Sequence, residues 1–254
     1  MFNESIGHAI LCLCKWRAEM AGDTRLRKTE SLRTLSAAAV TRLRADILSC
    51  ALAPGERLRL DALKSQYGVG YSPLREALVQ IAAEGLVEQE EQRGFRVAPV
   101  SAADLTDVTR TRISIETLAL REALPSGDDA WEASIVQSFH LLSRIDPVEA
   151  QGRGVNVEWS KRHRAFHYAL VAACKSPLLK RFWAQAYDRA ERYRRLAVTY
   201  GSKPRDNLKE HEKLMKVALD RDVEKACKLC SEHIMKTHRI IMYDIGKKLS
   251  IFGS

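Results

Sequence analysis

The stretch YSPLREALVQIAAEGLV, residues 71–87, decides how this chain is read. Leu74, Ala77, Leu78, Ile81 and Ala82 recur at intervals of three and four, the spacing of a helix with one buried face. Ser72 reads as the N-cap and Pro73 as the first helical residue, since proline fixes φ and lacks an N–H that would have no partner there. Gly85 ends the pattern. Tyr71, Ser72, Arg75 and Gln80 are left near the exposed N-terminal side, so the helix is held by its back and presents its front.

The flanks give that helix a context. Upstream, SAAAVTRLRADILSCALAPGERL from Ser36 reads as a capped helix with Val40, Leu43, Ile47 and Leu48 on one side, ended by the Pro54-Gly55 turn. LDALKSQYG follows as a second short helix closed by Gly68. Downstream, LVEQEEQRGFRVAPV reads as two strands about a turn at Arg93-Gly94, with Phe95 and Val97 alternating against Arg96. Three short helices and a hairpin in this order predict a winged helix-turn-helix, in which the helix starting near Tyr71 enters the major groove by its N-terminal end. Ser72 and Arg75 then meet DNA, and the Arg93-Gly94 wing tip meets the neighbouring backbone. The plainer alternative is a small helical element whose Arg75 is solvated or paired with a neighbour such as Glu76.

From Ser101 onward the periodicity is helical throughout. Ser101 with Asp104 reads as a capping box, followed by Leu105, Val108, Ile115, Leu118 and Ala119 at helical spacing. Further helices are predicted over about 128–144, 156–174, 178–200, 206–219 and 222–248, separated by proline and glycine, which gives an antiparallel bundle with short loops. The expected class is therefore mainly α, with an N-terminal winged helix-turn-helix and a C-terminal all-α antiparallel helical bundle. The expected domains are a mobile N-terminal arm (1–34), a DNA-binding domain (35–99), and a helical ligand-binding and dimerisation domain (100–250).

Charge and cysteines narrow the setting. Residues 1–99 carry 14 Lys and Arg against 12 Asp and Glu, so most of the +9 net charge lies beyond them and does not by itself locate a DNA surface. Six cysteines without a secretory leader, and no apolar run of membrane length, point to a soluble, reduced, cytoplasmic and nucleoid-associated protein with no membrane partner. Cys227 and Cys230 form a CxxC, but one pair in a helical context is a poor zinc knuckle.

The run ILSCALAPGERLRLDALKSQYGVGYSPLREALVQIAAEGLVEQEEQRGFRVAPV, residues 47–100, resembles the DNA-binding domain of GntR-type bacterial regulators. The likeness rests on Pro-Gly-x-x-Leu, Gly-Val before the recognition helix, Pro-x-Arg-Glu-Ala-Leu within it, and Arg-Gly-x-x-Val in the wing. The helical remainder, with RISIE, HRAFHYAL, EHEKLM and EHIMKTH in order, is similar to the FadR-type (FCD) C-terminal domain. SPLREAL with QRGFRV and AERYRRL is also similar to the carbon-starvation-induced regulator subgroup. The resemblance implies a DNA-binding repressor whose helical domain senses a small metabolite. One departure is Tyr71, where many members have arginine, so Ser72, Arg75 and Arg93 must carry more of the DNA contact.

Histidines supply the other chemistry. His163 and His167 lie four apart, so their imidazoles project about 40° apart on one helix face, as two ligands of one metal would. The same spacing is common in structural histidines. His211 and His233 follow on later helices, whereas His140 and His238 have no partner at ligand spacing and read as ordinary. In metal-binding members of the resembled family, an aspartate four residues before the first histidine joins three histidines around a divalent cation. Here HRAFH puts His163 at the aspartate's place, so the resemblance implies four histidine ligands, His163, His167, His211 and His233. Four neutral imidazoles suit Zn²⁺, Ni²⁺ or Co²⁺, with zinc or nickel foremost, and leave the cation's charge for an anionic ligand.

The expected effector is a small carboxylate or dicarboxylate. Arg112 stands where the family often turns an arginine into the cavity, and Tyr193 or Arg194 is expected to line it, with Tyr193 the choice. Arg112 has a second open reading, an i,i+4 ion pair with Glu116. One helix-turn-helix contacts too little DNA for tight specific binding, so a homodimer on an inverted repeat of double-stranded operator DNA is expected. The rival class is a metal-dependent hydrolytic enzyme using the histidine cluster, which lacks an evident general base and leaves the winged helix without a role.

Overall fold

The computed structural model describes residues 35–90, 94–148, 155–200 and 208–248. The expected N-terminal arm and Arg93 lie outside the described residues. These fall into two compact units, residues 35–46 with 56–97 and residues 47–55 with 98–248. No helix among them is long and apolar enough to cross a membrane.

The first unit is built around residues 35–46 of helix α1 (residues 35–48), α2 (Leu60–Tyr67) and α3 (Tyr71–Ala83). Gly68 ends α2 at φ 67°, a left-handed conformation that glycine adopts without a Cβ penalty. Arg42 of α1 donates to the Tyr67 and Gln66 carbonyls at 3.1 and 3.3 Å, taking acceptors left over at the end of α2. Arg44 reaches Glu84 at the end of α3, with Nε 2.8 Å from Oε2. On α3, Leu74, Ala77, Leu78 and Ile81 are fully buried. Each Leu or Ile so buried contributes about 1.5–3 kcal/mol over exposure.

The N-cap of α3 is Gly70 and not Ser72. The Leu74 N–H bonds the Gly70 carbonyl at 3.2 Å, so Tyr71, Ser72 and Pro73 fill the first turn. No N–H of that turn has a partner within the helix, so Pro73 at the third position removes no helical hydrogen bond.

A three-stranded antiparallel sheet completes the unit. Its strands are β1 (Arg57–Leu58), β2 (Val87–Glu90) and β3 (Gly94–Val97), in the order β1-β3-β2. Leu58 opposes Phe95 and Val87 opposes Val97, all four buried. The hairpin agrees with the sequence reading. β1 does not emerge from the sequence, because two residues are too few to display a period.

The second unit consists of α4 (Ala102–Ser126), α5 (Asp129–Ser143), α6 (Val157–Val171), α7 (Pro177–Tyr200), α8 (Leu208–Leu219) and α9 (Val223–Lys248). Side-chain N-caps start five of them, from Ser101, Asp128, Asn156, Ser176 and Asp222. Helix α4 packs against α7 and α9, α5 against α6, and α8 against α9. Phe166, Trp183, Leu120 and Leu124 lie in the core these helices share. Arg221, at φ 59° between α8 and α9, donates to the Leu124 and Gly127 carbonyls and to Glu132, clasping the end of α4 to α5.

The expected capping box is only half formed. Ser101 Oγ accepts the Asp104 N–H at 3.0 Å, but the Asp104 carboxylate does not return to the Ser101 N–H. The Tyr193 hydroxyl stands between them, accepting that N–H at 3.2 Å and donating to Asp104.

The division of α3 into a buried back and an exposed front has a direct check. Leu78→Ala should lower stability by about 2–5 kcal/mol, whereas Arg75→Ala should stay within about 0.5 kcal/mol of wild type. Urea unfolding followed by circular dichroism measures both.

Candidate functional site

Helix α3 leaves Tyr71, Ser72, Arg75, Glu76, Val79 and Gln80 exposed. Arg75 forms no ion pair among the described residues, and Ser72 Oγ lies 3.5 Å from Glu76 Oε1. The Tyr71 hydroxyl donates to Asp61 of α2, and Lys64 Nζ stands 4.6 Å from its ring centroid. Tyr71 therefore braces α2 against α3 as well as facing outward. Gly94 opens β3 at φ 89°, in the left-handed region that glycine enters without a Cβ penalty. Val79, 52% exposed, shares the face with Ser72 and Arg75. Sequence reasoning passed it over, although a valine off the apolar stripe was the signal.

The second unit carries the buried chemistry. His163 and His167 from α6, His211 from α8 and His233 from α9 converge, with one ligand nitrogen from each within 4.8 Å of all the others. All four are buried. His163 stacks on Trp159 at 4.5 Å between ring centroids, and its Nδ1 lies 2.5 Å from the Tyr187 hydroxyl. His167 Nδ1 is 3.1 Å from Glu116 Oε1, and His233 Nδ1 is 2.9 Å from Glu210 Oε2. These bonds fix ring orientation and leave Nε2 as the outward nitrogen, the arrangement in which an outer partner sets the tautomer of a metal-binding histidine.

Whether the residues fit a metal is answered by their orphan atoms. Nε2 of His163 and Nε2 of His167 are buried and make no hydrogen bond. A buried polar atom left so costs about 1–3 kcal/mol, and a cation among the four rings would remove that cost. Burial, then the neighbouring imidazoles and Arg194, hold His163 well below the usual histidine range. Burial also lowers His167, partly opposed by Glu116. Both rings thus keep the lone pairs that coordination needs.

The electrostatics beside this cluster centre on Glu116. Burial alone would raise its carboxyl, but Arg112 and His167 outweigh that and hold it at about 2. Arg112 Nε donates to Glu116 Oε2 at 3.0 Å, so the ion pair foreseen from spacing is present. The same guanidinium lies 4.6 Å over the Tyr187 ring, and its buried Nη2 has no hydrogen-bond partner. Arg112 also lines a small cavity, together with His163, His233, Glu191, Arg194 and His238. Its volume is about 30 Å³.

Two expectations change here. Tyr193 does not line the cavity, because its hydroxyl is committed to Ser101 and Asp104; its neighbour Arg194 does, carried over the Trp159 ring at 4.5 Å and paired to Glu191. His238, read as ordinary, stands on the cavity wall, whereas His140 is exposed. Tyr187 and Glu210 were also missed: no periodic signal links them to the histidines, although Glu210 adjoins His211. Cys227 and Cys230 are buried free thiols, with Cys227 Sγ 3.6 Å from the Thr117 carbonyl.

Comparison with known proteins follows the same two units. Residues 35–97 match the bacterial regulatory proteins of the gntR family, and residues 107–236 match the FCD domain. The chain is 39% identical over 217 residues to the HTH-type transcriptional regulator BphR of Paraburkholderia xenovorans, covering 83% of this chain and 86% of that one. It is 36% identical over 203 residues to the HTH-type transcriptional repressor GlaR of Escherichia coli, covering 78% and 92%. In fold it is similar to E. coli McbR/YncC, with a TM-score of 0.69 at 20% identity over 82% of this chain and 97% of that chain.

The buried carboxylate of the cavity wall gives a pH test. Burial would raise Glu191, but Arg194 and Arg195 outweigh it and hold it below its ordinary 4.5. A lowered folded value stabilises above the unfolded value and is lost as pH falls through the folded one. Below pH 4.5, wild type should therefore lose melting temperature more steeply than Glu191→Gln. Thermal scans between pH 7 and 3 at about half-unit steps read the difference.

Proposed function

This chain belongs to the gntR family of bacterial regulatory proteins, with an FCD domain after its winged helix, and we propose that it is a repressor released from DNA by a small carboxylate. It is a DNA-binding transcriptional regulator, and the families it matches are those of regulators and not of enzymes. FCD domains bind small-molecule effectors. The repressor reading is supported by the likeness to GlaR.

The observation that carries the effector reading is the buried four-histidine cluster with its orphan Nε2 atoms, beside an arginine with an orphan donor. His163, His167, His211 and His233 would hold a divalent cation, and an all-imidazole donor set favours zinc or nickel. When bound, the metal supplies a positive Lewis-acid centre for a carboxylate oxygen. Glu116, Glu210 and Tyr187 orient three of the rings, while Arg112 Nη2 offers the carboxylate a charge-assisted hydrogen bond. Four neutral ligands leave the cation's charge uncancelled, which favours an anion, either a mono- or a dicarboxylate.

At the other end, Ser72 and Arg75 would read base edges or phosphates, Val79 would meet a thymine methyl, and Arg93 and Gly94 would follow the backbone. Two copies on an inverted repeat supply the affinity that one reading head lacks.

The test uses a duplex selected from a random library by the full-length protein. Zinc-loaded protein should release it for at least one acid in a panel of small carboxylates, and metal-stripped protein should not respond. Unchanged affinity across the panel would contradict the proposal. On the same duplex Arg75→Ala should cost about 1–3 kcal/mol if it contacts a base, read as a 5- to 150-fold weaker Kd, roughly.

A further inference from the structure

Tyr71 is the first residue of α3, at the end of the helix that would enter the major groove, and its side chain is exposed. Its hydroxyl is already engaged there, donating to Asp61 Oδ1 in the first turn of α2. Asp61 is exposed as well. Among the described residues, the phenol is the one hydrogen-bond partner of its carboxylate.

That bond decides what this corner can offer a base. A phenol has one hydrogen, and Tyr71 gives it to Asp61, so toward DNA its oxygen only accepts. The carboxylate has no hydrogen to give either. Asp61 also raises the Tyr71 pKa, chiefly through the same hydrogen bond, so the phenol keeps its proton. Two acceptors therefore stand side by side with no donor between them. Lys64 Nζ lies 4.6 Å from the Tyr71 ring centroid, which puts a cation beside the acidic pair where it would near the polyanion.

The four bases answer such a surface differently. In the major groove guanine shows two acceptors, and thymine an acceptor and a methyl group, so neither offers it a hydrogen. Adenine sets the acceptor N7 beside its donor N6. Cytosine alone shows a donor, N4, with no acceptor next to it. We propose that the Tyr71–Asp61 pair is a specificity determinant, selecting cytosine at one position in each half of the operator by accepting from its N4 amino group. The proposal rests on the placing of α3 in the groove and names the base chemistry met at its entry. A mere brace between α2 and α3 would leave base preference unmoved.

The test is selection from a random duplex library by full-length protein, followed by sequencing, for wild type, Asp61→Asn, Tyr71→Phe and Arg75→Ala. Wild type should prefer a C·G pair at one symmetric position of each half-site by about 5- to 150-fold, the usual cost of a mismatch. Asp61→Asn keeps an oxygen for the phenol but gains an N–H donor. That position alone should then lose its cytosine and turn toward adenine, whose N6 and N7 suit an amide. Tyr71→Phe removes one acceptor and should narrow the preference part-way. Replacing the selected cytosine by 2-pyrimidinone, which lacks the N4 amino group, should weaken wild-type binding by a similar factor. This last measurement needs no variant and decides the matter if one fails to fold. Identical motifs in wild type and Asp61→Asn, or affinity unmoved by loss of the amino group, would overturn the role of the pair and leave the DNA-binding reading intact. If Arg75→Ala also binds as wild type does, α3 does not read the groove and both fall.

Discussion

The helical unit depends on one constraint: four imidazoles brought together in a dry interior must have their nitrogens satisfied. Packing four His side chains from α6, α8 and α9 where a core would hold leucines exchanges apolar burial for polar atoms that need partners. Glu116, Glu210 and Tyr187 satisfy one side of three rings. Other groups support these partners in turn, the buried Glu116 through Arg112 and the half-buried Glu210 through Lys236. The Nε2 atoms of His163 and His167 remain, and a bound ion, ligand or water would meet them without rebuilding the core.

The same constraint reaches the chain leading away from the wing. One turn of α7 carries Glu191 and Arg194 on the cavity wall, and between them Arg192 and Tyr193. Arg192 donates to the Ala98 carbonyl, and Tyr193 bonds the backbone of Ser101 and the Asp104 carboxylate. Cys50 packs on the small cluster of Val100, Leu105, Tyr193 and Ile241. A side chain facing the cavity and a side chain holding the segment after the wing thus share one helix. Coupling between two sites needs such an element with a differential contact at each end.

Much of the fold was legible because its elements announce themselves locally. The apolar stripe of α3, Gly68 at the end of α2, and the Ser101 cap are one-dimensional signals. What escaped was whatever depends on two distant segments meeting. β1 is defined by its pairing with β3, Tyr193 by the loop it caps, and Tyr187 and Glu210 by rings that lie 24 and 23 residues away. Residue 71 looked like the empty place of an arginine, but its hydroxyl bonds an aspartate on the preceding helix. At the histidines, spacing gave two and the resemblance to FadR-type domains gave the other two; three dimensions were needed to add His238 and to exchange Tyr193 for Arg194.

The central claim is that the histidine cluster is a metal site, and the most direct measurement is elemental analysis of protein purified without a histidine tag. The account predicts close to one zinc or nickel per chain after reconstitution and dialysis, lost in a folded His167→Ala/His211→Ala variant. Wild-type protein that retains no divalent metal under the same treatment would contradict it and reduce the four histidines to cavity lining.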